Sequence, residues 1–362
     1  PFDRGARSLY NPDGNPLVKL ARASGFDIAP AMMGQKIRVG RRNARAGEAE
    51  DFLTALVHAG RAIDAAARDG RDVACALVLP NDLGGWAATV DFVLGASATG
   101  KDLRDLSTVD RARMRERVAA IVCRQGLGAL LARLGDDVPV ALDTAATRVS
   151  WNDRDVGVET PAGTIVARAA IVTVSTDVLA SSRIAFAPDL PKRQLDAASG
   201  LGLGSYDRIE RGKDARTALL VANIGGQTLC TIDVAGRFGA DIAAQGEDAM
   251  VAFAREWLAG LFGNDAVAKI ERSFATRWNA DALIGGAMSA AAPGAAGARK
   301  ILAQPFGNVF IAGEATHETL FGTVEGAWDT GEQAADAALK KIGPAKPPPP
   351  QKKPRAKKRR AH

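Results

Sequence analysis

The apolar positions along this chain fall into two regimes. Residues 43–69 put Phe52, Leu56, Ala59, Ile63 and Ala66 at three- and four-residue intervals, which predicts one amphipathic helix. Residues 83–95 are apolar and read as helical despite the Gly84-Gly85 pair, and residues 110–121 and 128–134 read the same way. Their apolar stripes are what core packing requires. From Val138 the period shortens. Residues 138–142, 147–151, 156–160, 164–167 and 169–174 are predicted strands of a meander, with turns at Asn152-Asp153-Arg154-Asp155 and Pro161-Ala162-Gly163. Residues 219–222, 228–234 and 270–274 are further predicted strands, and 250–261 a helix. Near the N-terminus, Asn15 followed by Pro16 reads as a cap and first helical position. Near the other end, Val309 to Ala312 reads as a short buried strand stopping at Gly313-Glu314. A helix then follows, with Ala327, Ala334, Ala335, Ala338 and Leu339 at helical spacing.

Composition narrows the class. A chain of 362 residues has room for a large core and predicts two domains; 47% apolar and 24% charged residues are ordinary for a globular protein. The formal charge of +6 belongs to the end of the chain. Residues 343–362 hold eight Lys or Arg and no acid, so without them the charge is −2, which argues against a nucleic-acid-binding body. Six prolines in the same twenty residues predict a disordered, extended tail, a solvated segment with weak, salt-sensitive affinity for anionic surfaces. Cys75, Cys123 and Cys230 are widely spaced and, with only three histidines, suggest neither a disulfide framework nor a metal site. They favour a reducing compartment, and a cytoplasmic location is the expectation. Acids at 82 and 91 interrupt the most apolar windows, so no membrane span is expected. No targeting segment is read in a chain that begins at Pro1.

Small residues crowd the junction at 313–331: Gly313, Gly322, Gly326, Ala327 and Gly331. A strand, a turn and a helix start with so little bulk let backbone N–H groups meet an anion or a carbonyl-rich ring, although a tightly packed junction uses the same residues. Gly200-Leu201-Gly202-Leu203-Gly204-Ser205 imitates a dinucleotide fingerprint, but no strand leads into it and Ser205 stands at the third glycine, so it reads as a loop.

The run Gly313-Glu314-Ala315-Thr316, a loop, Gly322-Thr323-Val324-Glu325-Gly326-Ala327 and then Thr330-Gly331-Glu332-Gln333-Ala334-Ala335 resembles the C-terminal motif of the flavin-dependent amine oxidase family. Three more stretches resemble that family in the right order. They are Asp3-Arg4-Gly5-Ala6 with Asn15-Pro16-Leu17, then Gly204-Ser205-Tyr206-Asp207-Arg208-Ile209, then Thr276-Arg277-Trp278-Asn279 with Gly285-Gly286-Ala287-Met288-Ser289. The resemblance implies an α/β fold with two parts. A discontinuous Rossmann-like FAD/NAD(P)-binding domain would comprise residues 1–25, 117–182 and 295–342, and a mixed α+β substrate domain would comprise 26–116 and 183–294. It also implies that the family's first βαβ unit, with its Gly-x-Gly-x-x-Gly loop, would precede Pro1.

On that resemblance Glu314, Thr323, Val324 and the backbone of Ala146 hold FAD, and Arg208 and Trp278 face the reacting ring. Arg208 stands where the family has a lysine; it favours negative charge but is a poor proton shuttle. Trp278 read without the family is an ordinary core anchor. Ala287 stands where monoamine oxidases bond a cysteine to the flavin, so the flavin would be non-covalent. Met288 and Thr323 replace their two cage tyrosines, so the substrate site would differ in shape and a small arylalkylamine is not favoured. The implied reaction oxidises an amine to an imine and then an aldehyde, with O2 as acceptor and H2O2 as product. A flavin desaturase acting on an apolar substrate, and a truncated, flavin-free product or basic-tailed binding protein, remain the alternatives.

Overall fold

The structure is a computed structural model describing residues 3–31, 36–115, 117, 119–209, 218–222 and 229–343, with the side chains at 208 and 209 outside that description. The basic tail expected to contact anionic surfaces, from residue 344 on, lies outside it as well.

The chain opens with β1 (Ser8–Leu9), α1 (Pro16–Ala23) and β2 (Ile28–Pro30). Asn15 caps α1 as predicted: its side-chain oxygen accepts the Leu17 N–H at 3.0 Å, and Leu17, Val18 and Ala21 are buried beneath. Next comes α2 (Ala46–Arg68), with Phe52, Ala59, Ile63 and Ala66 buried on the predicted stripe. The 83–95 stretch is helical but broken. A tight turn at Gly84–Trp86 leads into Ala87–Asp91, then a widened turn at Phe92–Ala96.

The predicted helix 110–121 is corrected to α3 (Thr108–Arg113). Met114 turns extended, and Ile121 enters β3 (Ile121–Cys123), the middle strand between β1 and β2 and antiparallel to both. At α4 (Leu127–Leu134) the N–H groups of Leu127 and Gly128 donate to the Asp3 carboxylate at 2.8 and 2.9 Å. An acid on the first turn therefore ties the N-terminal motif to this sheet.

The meander forms from β4 (Arg148–Trp151), β5 (Val156–Thr160) and β6 (Gly163–Ala167), all antiparallel. The strand predicted at 138–142 is a correction: Val138, Val140 and Leu142 are 60%, 70% and 79% exposed in an irregular segment. Alternation makes a strand only where a neighbour pairs with the backbone and covers one face, and among the described residues none does. The apolar run at 169–174 yields β7 (Ala170–Val172), which leaves the meander, and β8 (Ala185–Ala187) joins it parallel to β4.

After α5 (Lys192–Gly200), β9 (Tyr206–Ile209), β10 (Leu219–Ala222) and β11 (Cys230–Ala235) make an antiparallel sheet with β11 in the middle. Against it pack α6 (Gly236–Ala244) and α7 (Glu247–Phe262), burying Ile232, Val234 and Met250. The strand predicted at 270–274 is also corrected. That segment is irregular, since both edges of β11 are already paired, and Phe274 lies under the Arg4 guanidinium, 5.3 Å from its ring centre.

Last come α8 (Ala298–Leu302), β12 (Val309–Ile311) and α9 (Val324–Ile342). The three residues of β12 are all buried and pair in parallel with β7. Val149, Leu201, Val309 and Ile311 share one core, while Val324 and Trp328 of α9 pack on a second around Leu9, Leu17, Ile121 and Leu127. Among the described residues no helix is long and apolar enough to cross a membrane.

The 200–205 loop has a mechanical reason for its glycines. The backbones of Gly204 and Gly100 cross in contact, with the Ser205 N–H donating to the Gly100 carbonyl at 2.9 Å. A Cβ on Gly204 would lie 2.6 Å from main-chain atoms of Gly100, closer than carbon atoms approach. The three cysteines are free thiols, Cys75 and Cys123 buried; burial pushes Cys75 up to about 12.

Candidate flavin-facing site

β12 delivers the chain to Gly313, at φ 134°, and the tight turn Glu314–Thr316 follows. The Gly313 N–H donates to the Thr330 hydroxyl at 3.0 Å, pinning the turn to α9. His317 then holds the loop. Its Nδ1 accepts the N–H groups of Thr319 and Leu320 at 3.1 and 2.8 Å, which leaves Nε2 to carry the proton toward Asp329 Oδ2 at 3.0 Å. Thr323 ends the loop as cap of α9, its hydroxyl accepting the Gly326 N–H at 3.0 Å. The first N–H groups of α9 have no carbonyl a turn earlier to receive them, so the helix presents them outward. Gly322 has φ 67°, and a Cβ there would meet Arg117 Nη2 at 3.0 Å and Met288 Sδ at 3.2 Å.

A buried polar network stands behind this turn. Glu314 Oε1 accepts the Ser289 N–H at 2.8 Å, and its Oε2 accepts the Ser289 hydroxyl at 2.9 Å and the Gly322 N–H at 2.6 Å. Ser289 is bonded in turn to Arg299, which is 1% exposed and paired through both ends of its fork with Asp110, itself fully buried. Glu314 therefore braces the loop. It accepts three bonds of the roughly four a carboxylate takes.

The other predicted residues are distributed unevenly. Thr323 and Val324 sit at the α9 start, and Met288 lies against Gly322, with its carbonyl receiving the Gly204 N–H at 2.9 Å. Trp278 lies over Gly5, its ring 3.8 Å from where a Cβ would be, which brings two of the sequence motifs together. Arg208 pairs in register with Asp233 on β11, but its side chain is outside the described residues. Ala146 is not part of the cluster; it is half-buried and leads into β4.

Sequence reading missed Arg117, Asp110 and Arg299. It also missed the set in which Arg7 reaches Asp233 Oδ2 at 3.1 Å and Thr231 at 3.0 Å while the Tyr206 hydroxyl donates to the same Asp233 oxygen at 2.9 Å. Isolated arginines give no periodic signal, although Tyr206 and Ser289 both lay inside quoted motifs. Among the described residues no group of three His, Cys, Asp or Glu is placed to hold a metal ion.

A cavity of about 490 Å³ opens beside the α9 start, lined by Tyr10, Asn15, Arg115, Arg117, Thr323 and Trp328 among others. On its wall, Arg117 Nε, Trp328 Nε1 and Glu325 Oε2 are buried with no hydrogen-bond partner among the described residues. Donors, an acceptor and free helix-start amides fit the edge of a ring that carries carbonyls and one N–H, as a flavin's pyrimidine does.

Asp207 lies below Trp278. Its Oδ1 accepts the Thr276 hydroxyl at 2.9 Å and the Trp278 N–H at 3.0 Å, while Oδ2 is buried with no hydrogen-bond partner among the described residues. Burial pushes this carboxyl above its ordinary 3.8, the two hydrogen bonds and Arg277 pulling the other way. The folded state then holds the proton more tightly than the unfolded chain. Stability should accordingly fall as pH rises from the ordinary carboxylate value through the raised folded one. Asp207→Asn is expected to remove that decline and raise Tm at neutral pH. Thermal unfolding of both proteins from about pH 4 to pH 8 checks it, and parallel curves would clear Asp207 of the effect.

Comparison with known proteins places the chain. The family described as flavin containing amine oxidoreductase matches residues 4–209 and 222–339, and the chain belongs to it. Lysine-specific histone demethylase 1 homolog 2 of Oryza sativa subsp. japonica is 28% identical over 244 residues, covering 59% of this chain and 32% of that protein. Polyamine oxidase 2 of Arabidopsis thaliana is 28% identical over 233 residues, 59% of this chain and 47% of its own. The chain thus spans less than half the length of these relatives.

Among solved structures, cyclohexylamine oxidase from Brevibacterium oxydans IH-35A superimposes with TM-score 0.74 at 18% identity, over 94% of this chain and 88% of that one. Putrescine oxidase bound to putrescine does so with TM-score 0.74 at 15% identity, over 92% and 87%. The fold is therefore the mixed α/β fold of these oxidases, a Rossmann-like FAD-binding domain joined to a substrate domain.

Proposed function

We propose that the protein binds FAD without a covalent bond and oxidises an aliphatic amine, converting amine, O2 and water into an aldehyde, the released amine or ammonia, and H2O2. Bound FAD supplies the hydride acceptor and passes both electrons to oxygen. The chain's own residues bind and orient. Thr323, Val324 and the free amides at the start of α9 hold the pyrimidine edge, and Gly322, against Met288 and Arg117, keeps that approach clear of side chains. Ala287 offers no sulfur for a covalent link. Met288 and Thr323 give a non-aromatic boundary, which suits a flexible aliphatic amine better than an arylalkylamine. Trp278, whose ring lies over Gly5, is assigned to the reacting face of the flavin, and Arg208 to a fixed positive charge for a developing anion.

The observation that carries the reading is the helix start beside the cavity, braced by Glu314 and free of bulk. Purified protein is expected to show flavin absorbance and to release peroxide with diamines or polyamines and not with arylalkylamines. Protein that stays colourless and takes up no added FAD sinks the proposal, whereas bound flavin with no peroxide from any amine favours desaturation of an apolar substrate.

A further inference from the structure

We propose that Arg299 is the positioning residue of the flavin-facing turn, acting through Ser289 and Glu314 on the amide of Gly322; the assignment of that turn to flavin rests on the function proposed above. All five guanidinium N–H donors are in use. Nε donates to Asp110 Oδ1 at 2.7 Å. Nη2 donates to Asp110 Oδ2 at 2.9 Å and to the Ser289 carbonyl at 3.2 Å. Nη1 donates to the Ser289 hydroxyl at 2.9 Å and to the Ala315 carbonyl at 3.2 Å. The guanidinium also lies 3.6 Å above the ring centre of Phe321, the residue before Gly322. One side chain therefore joins α3, the 287–291 segment, the turn after β12 and the loop before α9.

The network has a direction. Arg299 is a donor only, so the Ser289 oxygen accepts from it, and the single serine proton is left to point at Glu314 Oε2. That carboxylate oxygen then receives the Gly322 N–H. Turning the guanidinium would turn the hydroxyl, the carboxylate and the amide in sequence. Stability alone does not call for such an arrangement, because burying these ions is costly before pairing and well-packed apolar residues often serve as well. A fork of fixed geometry supplies orientation, and lysine, a point charge with three donors, cannot reproduce it.

The test uses Ser289→Ala, which deletes the relaying hydroxyl and leaves the Arg299–Asp110 pair in place, together with Arg299→Lys. Met250→Ala, in the remote core under β11, is the comparator for general destabilisation. Two readouts are taken: hydrogen exchange of residues 317–323 in flavin-free protein, and the Kd for added FAD by fluorescence quenching. Losing a hydrogen bond to a charged group corresponds to about tenfold or more, so Ser289→Ala should speed exchange and raise the Kd by about tenfold, and Arg299→Lys by at least as much. Met250→Ala should lower Tm while changing neither by more than about twofold. Unchanged exchange in Ser289→Ala overturns the proposal, as does an equal change in Met250→Ala. If the unaltered chain takes up no FAD, the functional reading falls and the exchange measurement still decides the role of Arg299.

Discussion

Asp110→Ala is expected to destabilise the folded chain by about 3–5 kcal/mol, the range for removing one partner of a buried ion pair. The pair is dry: Arg299 is 1% exposed and Asp110 is not exposed at all. Removing the carboxylate strands the Nε and one Nη2 donor of Arg299 and also the Ala291 N–H, which now donates to Asp110 Oδ2 at 2.9 Å. Solvent denaturation of the single variant measures the cost. The double variant Asp110→Leu, Arg299→Met should recover most of it, since replacing both charges by apolar groups is often neutral or better. A single-variant cost below about 1 kcal/mol would mean that water relieves the stranded guanidinium and that the pair is not sealed.

The second large effect belongs to Gly204→Ala. A methyl there meets the main chain of Gly100, which has no rotamer to change, so the crossing must open. Overpacking of this kind costs about 1–3 kcal/mol, with the upper end expected where backbone opposes backbone. Opening it also strains the bonds that Gly204 makes to Ala287 N–H and the Met288 carbonyl, both 2.9 Å, so flavin affinity should drop together with Tm. Gly202→Ala is the contrast. Its added methyl meets only Lys101 Nζ and Cε, the far end of a flexible side chain, and should cost under about 1 kcal/mol. If the two variants melt alike, the crossing is not what demands glycine at 204.

Those two sites also mark where the sequence was readable. The C-terminal strand, turn and helix could be predicted because each is set locally: three apolar residues in β12, a threonine cap, small residues where the chain turns. The capped helix at Asn15-Pro16 was legible for the same reason. Three stretches were not. Val138, Val140 and Leu142 alternate as a strand does but have no neighbour to pair with, and residues 270–274 face a sheet whose middle strand is already flanked. The helix predicted through Ile121 stops at Arg113, and Arg117 reaches the carbonyls of Ala98 and Phe321. In the site the turn residues Thr323 and Val324 were visible, and so was Glu314, but not its bonds to Ser289 and Gly322. The arginine that orients it lies in a short helix whose sequence, Ala-Arg-Lys-Ile-Leu, reads as a surface segment. A buried arginine is recognisable only from the acid that meets it, and Asp110 is 189 positions away.

The buried thiol of Cys75 has a consequence for wear. Its sulfur is inside the α2 core and its N–H is fixed to the Leu106 carbonyl at 2.9 Å. Oxidants attack the thiolate, and with the group pushed up to about 12 the ionised fraction near neutrality is of order one in 10⁵. An oxidase of the kind proposed above would discharge peroxide with every turnover and would be the first protein to meet it. The Cys75 sulfur is protected twice, by packing and by its proton, so sulfenylation of this core is removed as a route by which the proposed oxidase would wear out.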